Sequence, residues 1–241
     1  MILISNCPHD NGVYTLADYS NSIVVKSSYT VDGMSRLSRE NTGYKWYFTQ
    51  INISDSNLLR FVRLENGLYC KLYIKLFSGL PGDCYKNISF NQYELMKAIG
   101  TYSKVWPRQK GKLAPVHGDF SLGNLILCGE KTTIIDWEHF RQDAAPWGFD
   151  LVNLLYESVF FSFKGRDILS QRDTKVFCEV RKAVCELIGP EEGFDCKIQT
   201  LTKFIESNVY IWGALVNKLP VMKFSNSQIR FLMEIEGNSS I

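Results

Sequence analysis

The sequence predicts an α+β chain with a small β-rich lobe first and a larger helical lobe after it. Three observations carry this. Short apolar runs alternate with polar residues as far as Leu76. The breakers Ser78-Gly79-Leu80-Pro81-Gly82 then interrupt regular structure. From Ser89, and above all from Gly148, apolar residues recur at helical spacing. A switch from period two to period 3.6 is the signature of segregated strands and helices. The expected domains are residues 1–79 and 80–241.

The elements follow in order. Met1 to Ser5 reads as an edge strand and Asn6 to Gly12 as turn chemistry. Val13–Leu16 and Ser22–Lys26 flank the turn residues Asp18 to Asn21, which predicts a hairpin. Met34 to Gln50 has helical spacing despite Gly43, with Leu37, Glu40, Tyr44 and Tyr47 on one face. Leu68, Cys70, Leu72, Ile74 and Leu76 alternate with polar or amphipathic neighbours as a strand. The Asn66-Gly67 pair before it is a strong hairpin signal. Ser89 is the expected cap of a helix carrying Phe90, Tyr93, Met96 and Tyr102. Asn124–Leu127 and Thr132–Ile135 read as strands around Gly129-Glu130-Lys131. Val176, Phe177, Val180, Val184, Leu187 and Ile188 form one later apolar helix face. Leu201, Phe204, Ile205, Val209, Trp212 and Val216 form another.

Composition excludes several classes. With 27 Lys plus Arg against 25 Asp plus Glu, the chain is nearly neutral. It is neither a polybasic nucleic-acid binder nor an acidic disordered tail. A chain of 241 residues can bury roughly 70–75% of its unfolded surface, so no metal or disulfide scaffold is needed for folding. Seven cysteines without a C-x-x-C pair read as thiols in a reducing compartment. No run of about 18 apolar residues occurs, so no membrane span is predicted. No targeting segment is visible, and the expected location is the cytoplasm.

Four polar features stand in an informative order. Lys26 ends an apolar strand, and Glu40 lies on the apolar face of the next helix. A buried carboxylate is costly unless it meets a cation, and Lys26 is the nearest candidate in sequence. A simple salt bridge would also explain the pair. His117-Gly118-Asp119-Phe120-Ser121-Leu122-Gly123-Asn124 precedes one strand, and Asp136 follows the next. Asp119, Asn124 and Asp136 thus flank one short hairpin. Their hard oxygen donors suit Mg2+, although Asp and Asn in such places are also common capping and turn residues.

His117-Gly118-Asp119 with Asn124 resembles the H-G-D-x-x-x-x-N loop of the aminoglycoside phosphotransferase and choline kinase superfamily. Ile135-Asp136-Trp137-Glu138 resembles its I-D-[WF]-E segment, and Phe149-Asp150-Leu151 the Asp-Leu that opens the next helix. The resemblance is tight from Ala114 to Leu155. It implies a bilobal protein-kinase-like fold and an ATP- and Mg2+-dependent transfer to a small-molecule hydroxyl. Asp119 is then the implied catalytic base, with Asn124 and Asp136 as metal ligands. Lys26 would contact the α- and β-phosphates, steadied by Glu40. Lys75, Leu76 and Phe77 would form the adenine-facing hinge. His117 would orient the loop, and Asp150 would hold its backbone.

Some features depart from that pattern. The loop expected over the phosphates, Asn6 to Gly12, has a single glycine. This keeps a second reading open, a pseudokinase or nucleotide-binding regulatory module. A metal-dependent hydrolase ranks last, because few histidines are present. From Asp150 onward twelve acidic residues face eleven basic ones, so no bulk acidic excess marks a polycationic acceptor. Eight aromatics between Trp137 and Phe163 would suit either an ammonium cage or helical core packing. Packing is expected at least for Phe160 and Phe161. Glu138 and His139 are further acceptor-side or supporting candidates.

Overall fold

The computed structural model describes residues 2–7, 12–54, 58–64, 69–83, 86–108, 112–189, 197, 203 and 224–238. Their contacts divide the chain into two compact units. The first comprises Met1–Gly79 with Ile135–Arg141, and the second Leu80–Ile134 with Gln142–Ile241. The architecture is mixed, with an antiparallel sheet early and helices later.

The first unit is a five-stranded antiparallel sheet in the order β1-β2-β3-β5-β4. Its strands are β1 (Ile2–Cys7), β2 (Val13–Asp18), β3 (Ile23–Ser28), β4 (Leu59–Leu64) and β5 (Tyr69–Lys75). In β5, Cys70, Leu72 and Ile74 are buried while Tyr73 and Lys75 are not. The period of two therefore sets the face of the strand. Strand β4 pairs antiparallel with β5 as the other arm of the hairpin expected at Asn66-Gly67, whose residues the sequence reading did not name. Arg60 and Arg63 interrupt its apolar residues, as an edge strand allows. The Asn66-Gly67 turn, much of the Asn6–Gly12 loop and the apolar face from Leu201 to Val216 lie outside the described residues.

Helix α1 (Val31–Gln50) begins three residues earlier than its apolar spacing suggests. Thr30 is extended and its side chain accepts from the Gly33 amide, the geometry of an N-cap. The capping residue, not the first apolar position, sets the start. Gly43 lies in the buried face of α1 because nothing larger fits there. A Cβ at this position would come within 2.6 Å of Trp137 Cβ and 2.8 Å of Phe140 Cβ. Trp137 also stacks on Tyr47, with ring centroids 5.3 Å apart.

The second unit holds the β6 (Leu80–Pro81), β8 (Leu125–Cys128), β9 (Lys131–Ile134) sheet and four described helices of eight or more residues. These are α2 (Ile88–Val105), α3 (Phe149–Phe163), α4 (Gln171–Ile188) and α5 (Asn226–Asn238). Strand β7 (Ala114–Val116) pairs with β10 (Arg141–Ala145), all of which except Arg141 belongs to this unit. Asn87, not Ser89, is the cap residue of α2. Ser89 lies inside the first turn, where its amide and hydroxyl both donate to Asp173 Oδ1. Asp173 also accepts from Ser170, the cap of α4. One buried carboxylate thereby ties the starts of two helices together.

Phe90, Tyr93 and Met96 face solvent, and the inner face of α2 runs instead through Leu95, Ala98, Ile99 and Tyr102. Tyr102 stacks on Trp106 at 4.3 Å, and Phe120 and Trp147 meet this pair edge-on. Phe120 thus anchors the 117–124 loop from below. The aromatic run divides in a way that composition could not show. Trp137 and Phe140 pack on α1 in the first unit, while Trp147, Phe149, Tyr156 and Phe163 are buried in the second. Phe160 and Phe161, expected to be core, are only partly buried and line a pocket of 490 Å3 with Phe224.

Cys70 is a buried thiol and Cys128 an exposed one. Cys185 is disulfide-bonded, contrary to the expectation of thiols throughout. Pairing depends on proximity in the fold, which spacing along the chain does not reveal. Among the described residues no helix is long and apolar enough to cross a membrane.

Candidate active site

In the first unit, β3 presents Lys26 toward α1, and α1 presents Glu40. Lys26 Nζ lies 2.8 Å from Glu40 Oε1 and 2.5 Å from Asp136 Oδ1. Glu40 is fully buried, and its Oε2 accepts no hydrogen bond. The Asp136 side chain is 36% exposed, so the cluster has a closed end and an open end. Burial works against the Lys26 charge. The Asp136 and Glu40 carboxylates outweigh it and hold the ammonium pKa well above its ordinary value. Burial pushes Glu40 upward, against the pull of Lys26. One ammonium between two carboxylates leaves the trio with one negative charge when all are ionised. A cation at the open end would be favoured.

Asp136 is left-handed, with φ 63° and ψ 59°, immediately before a 3₁₀ turn over Trp137–His139. A non-glycine residue in this region is uncommon, and its neighbours must hold it there. The Tyr44 hydroxyl accepts from the Asp136 amide at 3.3 Å. Arg39 Nε donates to the Glu138 carbonyl at 3.0 Å, and Arg36 Nη1 lies 3.4 Å from the Glu138 carboxylate. His139 Nε2 is 3.3 Å from the same carboxylate oxygen. Glu138 and His139, open candidates in sequence, are therefore engaged with each other and with α1.

In the second unit the 117–124 loop is held by α3. Asp150, fully buried in the first turn of α3, accepts from the His117 amide at 2.8 Å and the Gly118 amide at 3.1 Å. Its pKa is pushed up to about 7, because burial outweighs those two hydrogen bonds. His117 Nδ1 accepts from the Asp119 amide at 3.3 Å, a loop-orienting contact. Asn124 Nδ2 donates to Asp119 Oδ2 at 2.9 Å and to its carbonyl at 2.8 Å. The amide nitrogen is spent on Asp119, which leaves Oδ1 of Asn124 as an acceptor. Asn124 stands one residue before β8 and Asp136 two after β9, beside the Leu125–Ile134 pair of that hairpin.

Glu157 on α3 was missed by sequence reasoning. Its carboxyl is raised to about 8, by burial and then by the Asp119 charge. Position 157 falls seven residues after Asp150 and so on nearly the same helix face, two turns along. That spacing was the available signal. The hinge candidates lie at the end of β5. The Lys75 amide donates to Leu58 O at 2.9 Å and the Leu76 amide to Ser22 O at 2.8 Å. Both donors are thus committed within the sheet.

Among the described residues no group of three or more His, Cys, Asp or Glu could hold a metal. An all-protein cage is therefore not offered. Asn124 and Asp136 each carry a hard oxygen donor of the kind that Mg2+ prefers.

Residues 72–174 match the model of the phosphotransferase enzyme family (APH). That span contains Asp119, Asn124, Asp136, Asp150 and Glu157, while Lys26 and Glu40 precede it. The match covers less than half of the chain, and within it lie the motif residues from His117 to Asp150. The class that this segment resembles is a phosphotransferase. No curated protein matches. Among solved structures, the chain is similar to the amicoumacin kinase hAmiN in complex with AMP-PNP, Ca2+ and Ami, at 14% identity and a TM-score of 0.49. That alignment covers 98% of this chain and 88% of the other. It is also similar to choline kinase LicA from Streptococcus pneumoniae, at 13% identity and a TM-score of 0.42, covering 98% and 91%.

Proposed function

We propose that this chain transfers the γ-phosphoryl group of ATP, with Mg2+, to a hydroxyl of a small molecule. The observation that carries the reading is Lys26 held between Glu40 and Asp136, with Asp136 inside the family-matched segment. Lys26 contacts the α- and β-phosphates, and Glu40 fixes its ammonium. Asn124 and Asp136 hold the divalent ion, which neutralises charge on the phosphates when bound. Asp119 takes the proton of the acceptor hydroxyl, whose oxygen attacks the γ-phosphorus while the bond to the departing ADP oxygen breaks. Such a transfer needs positioning and electrostatics more than covalent chemistry. Of the hinge, the Lys75 and Leu76 amides are engaged, so adenine would meet the backbone at Phe77.

The acceptor is an amino alcohol, a sugar or a glycan precursor, and less readily an aminoglycoside. Glu157, whose carboxyl is pushed up to about 8 by burial and then by the Asp119 charge, is a candidate partner for an acceptor that carries an ammonium group. The reaction draws on ATP, and we assign it to the cytoplasm. A panel of alcohols incubated with ATP and Mg2+, read by mass spectrometry, tests the proposal. Wild type should phosphorylate at least one class, and Asp119→Ala should lose that activity. Equal activity in the two would remove Asp119 from its role.

The glycine-poor Asn6–Gly12 loop favours a second reading, a nucleotide-binding regulatory module. A thermal-shift titration separates the two. Stabilisation by ATP and Mg2+ without transfer to any acceptor would favour the module.

A further inference from the structure

Asp136 meets Lys26 from a left-handed backbone conformation, and three polar contacts tie that turn to α1. The Tyr44 hydroxyl takes the Asp136 amide, Arg39 takes the Glu138 carbonyl, and Arg36 faces the Glu138 carboxylate. Gly43 allows Trp137 to lie directly on the helix between these anchors. Glu40 comes from the same helix, four residues before Tyr44 and one after Arg39. One rigid element therefore sets the position of both carboxylates on the Lys26 ammonium.

We infer that Tyr44 and Arg39 are positioning residues, which hold the Asp136 turn on α1 so that its carboxylate is aimed for the divalent ion. This rests on the reading of Asp136 as a metal ligand. Neither residue needs to touch the nucleotide. Burial and the Glu40 charge keep the Tyr44 phenol protonated well beyond neutral pH. Its oxygen therefore serves as a neutral acceptor for the amide, and it adds no third negative charge to the cluster. Removing that acceptor would cost the left-handed turn its hydrogen bond to the Tyr44 hydroxyl and loosen it on α1.

The test uses the full chain with Mn2+ as the probe, titrated by electron paramagnetic resonance in the presence of AMP-PNP. Wild type, Tyr44→Phe, Arg39→Gln and Asp136→Asn are compared, with the melting temperature of each measured without ligand. Outer-shell partners typically set metal affinity by about 10-fold or more. Tyr44→Phe and Arg39→Gln should each weaken Mn2+ binding on that scale, while AMP-PNP binding without metal stays at the wild-type level. A merely structural role would lower the melting temperature and leave the Mn2+ affinity of the folded fraction unchanged. Wild-type Mn2+ affinity in both positioning variants, with Asp136→Asn impaired, would overturn this inference alone. Wild-type affinity in Asp136→Asn would overturn the metal-ligand reading and the inference with it. Should Tyr44→Phe fail to fold, Arg39→Gln, altered at a partly exposed side chain, carries the comparison.

Discussion

The Lys26–Glu40 pair is a buried ion pair, and the expected cost of breaking it follows from what is left behind. Lys26→Met strands a carboxylate among apolar neighbours, so it should destabilise the fold by about 3–5 kcal/mol at pH 8. The double variant Lys26→Met/Glu40→Gln should recover much of that, because no buried charge remains. Urea denaturation of the three proteins measures both effects, and a double variant no better than the single would contradict the pairing. Sequence alone exposed these two residues because a lysine in a strand and a glutamate on an apolar helix face both break the local pattern. Asp119, Asn124 and Asp136 were legible from their motif spacing. Tyr44 and Arg39 were not, because their partners are backbone groups 92 and 99 residues away, and no side-chain pattern encodes such a contact.

At the scale of elements, two joints bear the most testable strain. Gly43→Ala puts a methyl within 2.6 Å of Trp137 Cβ. Overpacking of this kind should cost about 1–3 kcal/mol and shift the turn that carries Asp136. A melting temperature equal to wild type would mean that α1 and Trp137 separate freely. Asp173→Ala removes the carboxylate shared by Ser89 and Ser170, leaves their donors unpaired, and should cost about 1–3 kcal/mol by denaturant unfolding. Strand alternation and helix faces were readable where one side is buried, as in β5 and α4. The starts of α1 and α2 were not, because the caps, Thr30 through its side chain and Asn87 through its extended backbone, stand outside the apolar spacing. Phe90 and Tyr93 misled for the same reason, since aromatic character marks an inward face only when packing confirms it.

For the molecule as a whole, carboxyls raised by burial shape the pH dependence: Glu40 in the first unit, raised to about 7, and two in the second. Asp150 is raised from 3.8 to about 7 and Glu157 from 4.5 to about 8, both chiefly by burial. A raised carboxyl pKa means that the folded state binds more protons than the unfolded state between those limits. Stability is therefore greatest below the unfolded values and falls as pH rises through 7 and 8. Urea unfolding at pH 5 and pH 8 should show the loss, and Glu157→Gln should flatten it. Stability that climbs across this window would contradict the burial argument. The overall division was visible in the breakers at Ser78–Gly82, but the return of 135–141 to the first unit was not. That return follows from Trp137 and Phe140 packing on α1, a contact made far along the chain. The central claim, phosphoryl transfer dependent on Asp136 beside Lys26, meets its most direct test in single-turnover transfer from labelled ATP, once the panel has identified an acceptor. Asp136→Asn should remain folded, though with a lower melting temperature for the lost ion pair to Lys26, and lose transfer by roughly 100-fold or more. Transfer at the wild-type rate in that variant would contradict the account.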